Sequence, residues 1–465
     1  MSRVALRIYN RIIIQGWRAS EALNLSMKKI IAALSILILL HSQHSFAQSR
    51  ITVIKAGKLV DPEKGEVLTN QVIIIDSNII TAVGPSLAIP KNAKVIDLSN
   101  ATVLPGLIDC HTHLTTSPGS DYYADIFRKT PIDFAMIAPT YARKTLMAGF
   151  TTCRDVGVDV PAFIDISLRN AINNGDIEGP RMQCATMYIG ATGSHADLNG
   201  FSPYLEWNVP EKMLGIANGI DGVREQVRYN IKYGADVIKF GASAGVLSEE
   251  ESVGAPQYTQ EEMNAIVDEA KLWGKKACAH AHGAEAIKMA VKSGVASVEH
   301  GSFLDEEGIK LMKEKGTYLV ADIYNDDYIV SEYLKLGYPQ KIVDKEKLVG
   351  RTQRENFQKA VQAGVKVAFG TDAGVYPHGD NGKQFRYMVK FGLTPMKAIQ
   401  AATVNAADLL GWTNKVGSVS KNKFADIIAV EGNPVDDVTI LEKVKFVMKD
   451  GVVYKNELNS KTAKQ

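Results

Sequence analysis

Cysteine is scarce in this chain: four residues in 465, Cys110, Cys153, Cys184 and Cys278, none in CxxC spacing. That excludes a disulfide-stapled scaffold and leaves buried free thiols as the expected state. An excess of charge of one sign is lacking too. Lys and Arg number 53 against 51 Asp and Glu, a formal net charge of +2. Nothing in that balance calls for a nucleic acid or a membrane surface as partner. Internal repeats and low-complexity stretches are absent. With 46% hydrophobic and 22% charged residues the composition is that of a globular protein, long enough for one large domain and a smaller one.

A hydrophobic run long enough to span a bilayer is also missing. The apolar run Ile30–Leu40 has 11 residues, against the ~20 of a transmembrane helix. It follows Met27-Lys28-Lys29 and precedes Ser45-Phe46-Ala47, the layout of a secretory signal peptide over 27–47, cleaved after Ala47. The expectation is a periplasmic or secreted protein with no stable membrane anchor. Residues 1–26 read as an upstream extension from an early start codon, the alternative being a genuine basic leader. Removing 1–47 takes away six Lys or Arg and one Glu, so the mature balance is 47 against 50, or −3. His41 and His44 leave with the signal, and seven of nine histidines remain.

Between residues 51 and 103 short alternating segments, Ile51-Thr-Val-Ile-Lys55, Val72-Ile-Ile-Ile-Asp76 and Lys94-Val-Ile-Asp-Leu98, are separated by turn residues. Alternation returns at Asp426-Ile-Ile-Ala-Val430 and Val444-Lys-Phe-Val-Met-Lys449. These predict a small β-sandwich domain formed by both chain ends, 51–103 and 412–457. Residues 104–411 carry a different period, apolar strands alternating with amphipathic helices. Strands are expected at 103–110, 150–156, 181–187, 236–242, 276–281, 296–300, 317–322 and 366–371. Helical spacing covers Phe134–Ala148, Glu261–Trp273, Ala284–Lys292, Gln340–Ala363 and Pro395–Leu410. The fold class is therefore α/β, a (β/α)8 TIM-type barrel inserted into the small domain.

In such a barrel the C-terminal ends of the strands carry the chemistry. The first ends in His111-Thr-His113, and a strand period of two puts both imidazoles on one side, able to share a metal. A polar turn feature explains the pair equally well on its own. Lys239 stands in the apolar strand Asp236-Val-Ile-Lys-Phe-Gly241, where a cation is expensive to bury. It either pairs with a carboxylate or snorkels out, or it adds CO2 to become a carbamate whose two oxygens bridge two cations. His280 in Ala279-His-Ala-His282, His300 in Glu299-His-Gly301 and Asp372 in Thr371-Asp-Ala373 close the fifth, sixth and eighth strands. Singly, each reads as a core histidine or a turn aspartate. Six metal-compatible residues at five strand ends favour the joint metal reading.

With these residues stated, the chain from about 51 to 455 resembles the amidohydrolase superfamily, specifically its imidazolonepropionase-like branch of metal-dependent dipeptidases, prolidases and related amide hydrolases. The resemblance rests on Pro105–His113, Thr151–Asp155, Ile238-Lys-Phe240, His280–Gly283, Glu299-His-Gly301, Gly370–Gly374 and Ala402–Ala407. It implies two divalent metal ions, with zinc suiting the N/O ligands best. His111 and His113 would bind the more buried ion, His280 and His300 the outer one, and Asp372 the buried one. Lys239, as a CO2-derived carbamate, and a hydroxide would bridge them. That hydroxide would attack an amide or peptide bond, with Asp372 moving its proton to the leaving amine. His280 is taken as the fifth-strand ligand because related barrels place it there, with His282 behind it.

Other readings of the same residues are a mononuclear cyclic-amide hydrolase or deaminase, a lactone or phosphotriester hydrolase, and, outside enzymes, a periplasmic metal- or solute-binding protein. A deaminase needs a Glu three positions after the fifth-strand ligand. That position is Gly283 counted from His280 and Glu285 counted from His282. Substrate contacts are expected from His195, Tyr258, His282, Tyr324 and His378, a surface turn being the alternative for His195 and a structural staple before the helix at Thr259 an equal alternative for Tyr258. Arg154 is a candidate for holding a substrate carboxylate, or else a partner of Asp155. The expected partner is a small amide or short peptide, a dipeptide or an N-acyl amino acid, bound by a homo-oligomer.

Overall fold

The alternating segments at the two ends of the chain share one hydrogen-bonded sheet. In the computed structural model, residues 51–458 are described except 120–124, 126, 159, 161, 203, 205–208 and 251. The expected signal peptide 27–47 and extension 1–26 lie outside the described residues. The sheet combines β1 (Ile51–Asp61), β2 (Glu66–Asp76), β3 (Ile79–Gly84) and β4 (Lys94–Pro105) with β12 (Ile427–Val430), β13 (Phe446–Lys449) and β14 (Val452–Asn456), in the order β14-β13-β12-β4-β1-β2-β3. β4 joins the two sets, parallel to β1 and antiparallel to β12. Ile54, Ile73, Ile96, Ile427 and Phe446 meet in one apolar core. Burying each such side chain is worth roughly 1.5–3 kcal/mol.

Between these ends run parallel βα units. β5 (Leu107–Thr112), β6 (Phe150–Asp155) and β7 (Arg181–Cys184) form one sheet. β8 (Val237–Gly241), β9 (Lys276–Ala281), β10 (Ser297–His300) and β11 (Tyr318–Val320) form a second. Their strands are buried on both faces, as parallel strands covered by helices must be. The helices are α1 (Pro131–Met147), α2 (Ile164–Asn174), α3 (Gly219–Lys232), α4 (Gln260–Leu272), α5 (Ala284–Ser293), α6 (Glu306–Lys315), α7 (Asn325–Glu332) and α8 (Gln340–Ala363). The seven-stranded sheet packs against this part of the chain through Ile428, Val430, Val444 and Val447. Arg181 at the start of β7 ties it down by pairing with Asp426 at 3.3 Å and Asp450 at 2.6 Å.

Four expected elements differ in detail. Residues 103–105 belong to β4, and the first parallel strand begins at Leu107. The third strand stops at Cys184, because Thr186 takes φ 65°, outside the pleat. The expected helix 395–410 is split into Pro395–Ala401 and Val404–Leu410 at Thr403, whose φ and ψ are −134° and −94°. Segment 366–371 is not a regular strand. Its backbone still reaches both sheets: Leu319 N donates to Lys366 O at 2.8 Å, and Cys110 N to Phe369 O at 2.8 Å. Isolated parallel bridges join Leu319 to Val367, Thr112 to Ala373 and Ile189 to Phe240.

Candidate active site

The side chains expected to act together do converge. His111 and His113 leave the end of β5 on the same side, and their Nε2 atoms lie 3.2 and 3.1 Å from one oxygen, Asp372 Oδ1. The rings of His280, His282 and His300 stand 4.5–4.7 Å apart, centre to centre. His300 also lies 5.0 Å from His111, linking the two groups. His300 and Asp372 hold left-handed backbones, φ 69° and 56°. Such strain costs about 1–3 kcal/mol per residue and concentrates at functional sites.

The hydrogen bonds behind the imidazoles decide which nitrogen faces inward. His113 Nδ1 lies 2.9 Å from Gly157 O. A carbonyl only accepts, so Nδ1 carries the proton and Nε2 presents a lone pair. His111 Nδ1 faces Glu299 Oε2 at 3.1 Å, and His300 Nδ1 faces Asp322 Oδ1 at 2.9 Å. Two imidazole lone pairs on one carboxylate oxygen repel unless a cation stands among them. His280 Nε2 is buried with no hydrogen-bond partner. The groups His111, His300, Asp372 and His280, His282, His300 each offer ligand atoms within 4.8 Å of one another. Nitrogen and oxygen donors backed in this way fit a divalent metal.

Burial, then the Lys239 ammonium, depresses the pKa of His111. Burial and the neighbouring imidazoles hold His280 and His282 well below the usual histidine range, so both are neutral. Burial opposes charge on His300, but Asp322 outweighs it and raises the pKa. Burial likewise works against ionising Asp372, yet His111 and His113 keep its carboxyl well below the usual range.

Lys239 sits mid-strand in β8 and is 1% exposed. Its ammonium makes no hydrogen bond or ion pair with a described residue. Its nitrogen lies 5.1 Å from the centre of the Tyr188 ring. A carboxylate partner, the bland explanation for a buried lysine, is thus not among the described residues.

Several supporting groups were not singled out from the sequence. Glu299 lies beneath His111, and Arg154 Nη2 pairs with it at 2.8 Å while Arg154 Nε donates to Cys110 O at 2.6 Å. Burial opposes ionising Glu299, but Arg154 and His111 hold its pKa well below the carboxylate range. Arg154 is therefore committed to Glu299 in the interior and is not placed to meet a substrate carboxylate. Asp322, behind His300, accepts from Asn325 Nδ2 at 2.6 Å and Gln353 Nε2 at 3.0 Å. Asp109 accepts from Thr371 Oγ1 at 2.6 Å and Asn381 Nδ2 at 2.8 Å, anchoring the segment that carries Asp372. A charged residue inside or closing an apolar strand was the available signal for Glu299 and Asp322.

The remaining candidates divide. His195 reaches the cluster: its ring stacks on His280 at 4.2 Å, and its Nδ1 lies 2.6 Å from Ser248 Oγ. A side chain on Gly245 would come within 2.8 Å of His280 Nε2, so only glycine leaves that nitrogen open. His282 joins the cluster with Nδ1 held by Ser302 Oγ at 2.7 Å. Tyr258 does not reach the site; its hydroxyl donates to Ala217 O at 2.8 Å within the core. Tyr324 meets Tyr376 edge-on at 4.8 Å, and Lys383 Nζ lies 3.5 Å from its hydroxyl. His378 lies 2.7 Å from Thr116 O through Nε2 and stacks on Tyr141 at 4.8 Å, tying two loops together. Glu285, the proton shuttle a deaminase reading needs, is 61% exposed and pairs with Lys288 on the surface.

Known proteins are similar to this chain over most of its length. Residues 102–455 match the model of the amidohydrolase family. Ochratoxinase from Aspergillus niger is 32% identical over 432 residues, covering 88% of this chain and 87% of its own. The crystal structure of a Xaa-Pro dipeptidase with bound methionine in the active site superposes with a TM-score of 0.82 at 42% identity, over 87% of this chain and all of that one. Imidazolonepropionase from Rhizobium rhizogenes is 24% identical over 394 residues, 78% of this chain and 86% of its own. Those structures set a TIM barrel beside a β-sandwich, and the mixed α/β fold here matches them. Taken with the converging histidines, these likenesses make the chain a member of the amidohydrolase family, in its imidazolonepropionase-like branch, and a hydrolase of carbon–nitrogen bonds.

Proposed function

We propose that this hydrolase uses two divalent metal ions to cleave the amide bond of a dipeptide or an N-acyl amino acid outside the cytoplasm. The observation that carries the reading is Lys239, buried beside the histidine cluster with no hydrogen-bond or ion-pair partner among the described residues. As an ammonium it is unsatisfied there; as a metal-held carbamate it is an anion with two ligand oxygens. His111, His113 and Asp372 would hold one ion and His280 and His300 the other, with the Lys239 carbamate supplying ligand oxygens to both. When bound, such a pair, zinc by its ligand set, acidifies water and polarises the scissile carbonyl.

The protein's own groups do the rest. Asp372, whose Oδ1 lies 3.2 and 3.1 Å from the Nε2 atoms of His111 and His113, accepts the proton of the attacking water and delivers it to the leaving nitrogen. Glu299, clamped by Arg154, orients His111, and Asp322 orients His300. The two parallel sheets and segment 366–373 close as an eight-stranded barrel, with the end strands as a β-sandwich domain. The mature homo-oligomer starts near Gln48. The similarity to an ochratoxinase and a Xaa-Pro dipeptidase supports an amide or peptide substrate.

Elemental analysis of mature protein should give two divalent ions per chain. Lys239→Ala should lose the second ion and most activity, and formate should restore part of both. A fully active variant with unchanged metal content overturns the reading. Amino-terminal sequencing of the exported protein should begin at Gln48, and an intact Met27 would contradict export by this signal.

A further inference from the structure

Building on the amide-hydrolase reading above, we propose that the substrate carries a primary ammonium group, received by a subsite formed from Asn325 and Glu346. Asn325 begins α7 beside the reacting carboxylate. Its Nδ2 donates to Asp322 Oδ2 at 2.6 Å and lies 3.4 Å from Asp372 Oδ2. Its Oδ1 is buried and has no hydrogen-bond partner. That is an unused acceptor next to the centre of the chemistry.

Glu346 is a second one. It is 4% exposed and makes no hydrogen bond or ion pair with a described residue. It shares a face of α8 with Gly350 and Gln353, four and seven positions on. Gln353 touches Asp322 at 3.0 Å. At Gly350 an added Cβ would fall 2.2 Å from Asp326 Cγ, so Asp326 packs on bare backbone one turn from Glu346. This face of α8 therefore borders the Asp322–His300 side of the site. Burial first, then Asp326 and Asp322, with a further contribution from Asp372, pushes the Glu346 carboxyl up to about 8, and Arg354 works against them. Arg354 is already taken by Asp326 at 2.7 Å and Asp327 at 2.8 Å.

The chemistry of a complementary ligand follows. An amide oxygen accepts hydrogen bonds, and so does the Glu346 carboxyl, whose ionised form an adjacent cation favours, whereas an alkylammonium has three donors and no acceptor. Its charge also offsets the acidic surroundings, which include Asp322, Asp326 and Asp372. Among the described residues Glu346 belongs to no cluster of His, Cys, Asp or Glu that could hold a metal. Two parts of a peptide bring such an ammonium: a free amino terminus next to the scissile carbonyl, or a lysine side chain.

The test compares matched substrates on metal-loaded mature protein. Alanyl-phenylalanine against N-acetyl-alanyl-phenylalanine isolates the amino terminus, and alanyl-lysine against alanyl-norleucine isolates the side chain. One pair should differ in kcat/KM by about 10- to 100-fold, the size of hydrogen bonds to a charged group. Glu346→Gln should shrink that ratio at least tenfold, chiefly through KM, and Glu346→Asp should act in the same direction. No discrimination within either pair by the wild type overturns the subsite, as does a Glu346→Gln loss equal for both members of a pair. Binding of n-butylammonium against n-butanol, followed by NMR, separates this from the function itself. If no amide is hydrolysed but n-butylammonium binds in a Glu346-dependent way, the subsite stands and the hydrolase substrate class falls. Hydrolysis of neutral and cationic amides alike leaves the class standing and removes the subsite.

Discussion

Asp322 Oδ1 lies 2.9 Å from His300 Nδ1, so the carboxylate sets which imidazole nitrogen is left to face the histidine cluster. Gln353 and Asn325 fix the same carboxylate from two helices. Replacing Asp322 by Ala frees the His300 ring to turn and to take the other tautomer. Metal affinity should fall by roughly 10- to 100-fold, as for other partners that orient a ligand. Competition with a chromophoric chelator measures it, and an unchanged affinity removes Asp322 from the metal site.

Arg154 and Glu299 are an ion pair in the interior, not a substrate clamp. Arg154→Met leaves Glu299 charged, buried and unpaired, a change that destabilises by about 3–5 kcal/mol. Urea unfolding reads that loss, and adding Glu299→Gln should recover part of it. A variant of native stability with a raised KM would instead return Arg154 to the substrate.

Tyr258 makes one buried hydrogen bond, to Ala217 O. Tyr258→Phe leaves that carbonyl without its donor and should lower stability by about 1–2 kcal/mol. Steady-state kinetics should give the wild-type KM. A KM raised tenfold at unchanged stability would place Tyr258 on the substrate after all.

Glu346 makes stability depend on pH in the direction opposite to most carboxylates. Folded, its carboxyl keeps the proton up to about pH 8, raised by burial and by Asp326, Asp322 and Asp372 against Arg354, while the ordinary value is 4.5. The folded state therefore binds the proton more tightly, and this contribution is complete below pH 4.5 and lost as pH rises through about 8. Glu346→Gln cannot ionise, so its melting temperature relative to wild type should climb between pH 5 and pH 9. A difference that stays constant across that range contradicts the raised pKa.

The sequence by itself determined most of the elements and the side chains that converge at the candidate site. Alternating segments at both ends became strands of one sheet, and seven of the eight expected parallel strands formed within a few residues. A period of two placed His111 and His113 on one side of β5, and that local geometry needs no tertiary knowledge. Strand-end placement, a property of the parallel βα pattern, singled out His280, His300 and Asp372, and Lys239 stood out as a lone charge inside an apolar strand.

Only the tertiary structure decided which charges meet across strands. Arg154 on β6 pairs with Glu299 on β10, separated by 145 positions, and no local pattern links residues that far apart. Tyr258 was spent on a backbone carbonyl for the same reason, since an aromatic before a helix looks alike whether it faces the core or a cavity. The break of the eighth segment from regular pairing was equally hidden. Asp372 leaves the pleat at φ 56° because Thr371 is held by Asp109 and its own N–H by His111 O at 2.8 Å, contacts that exist only once β5 lies alongside.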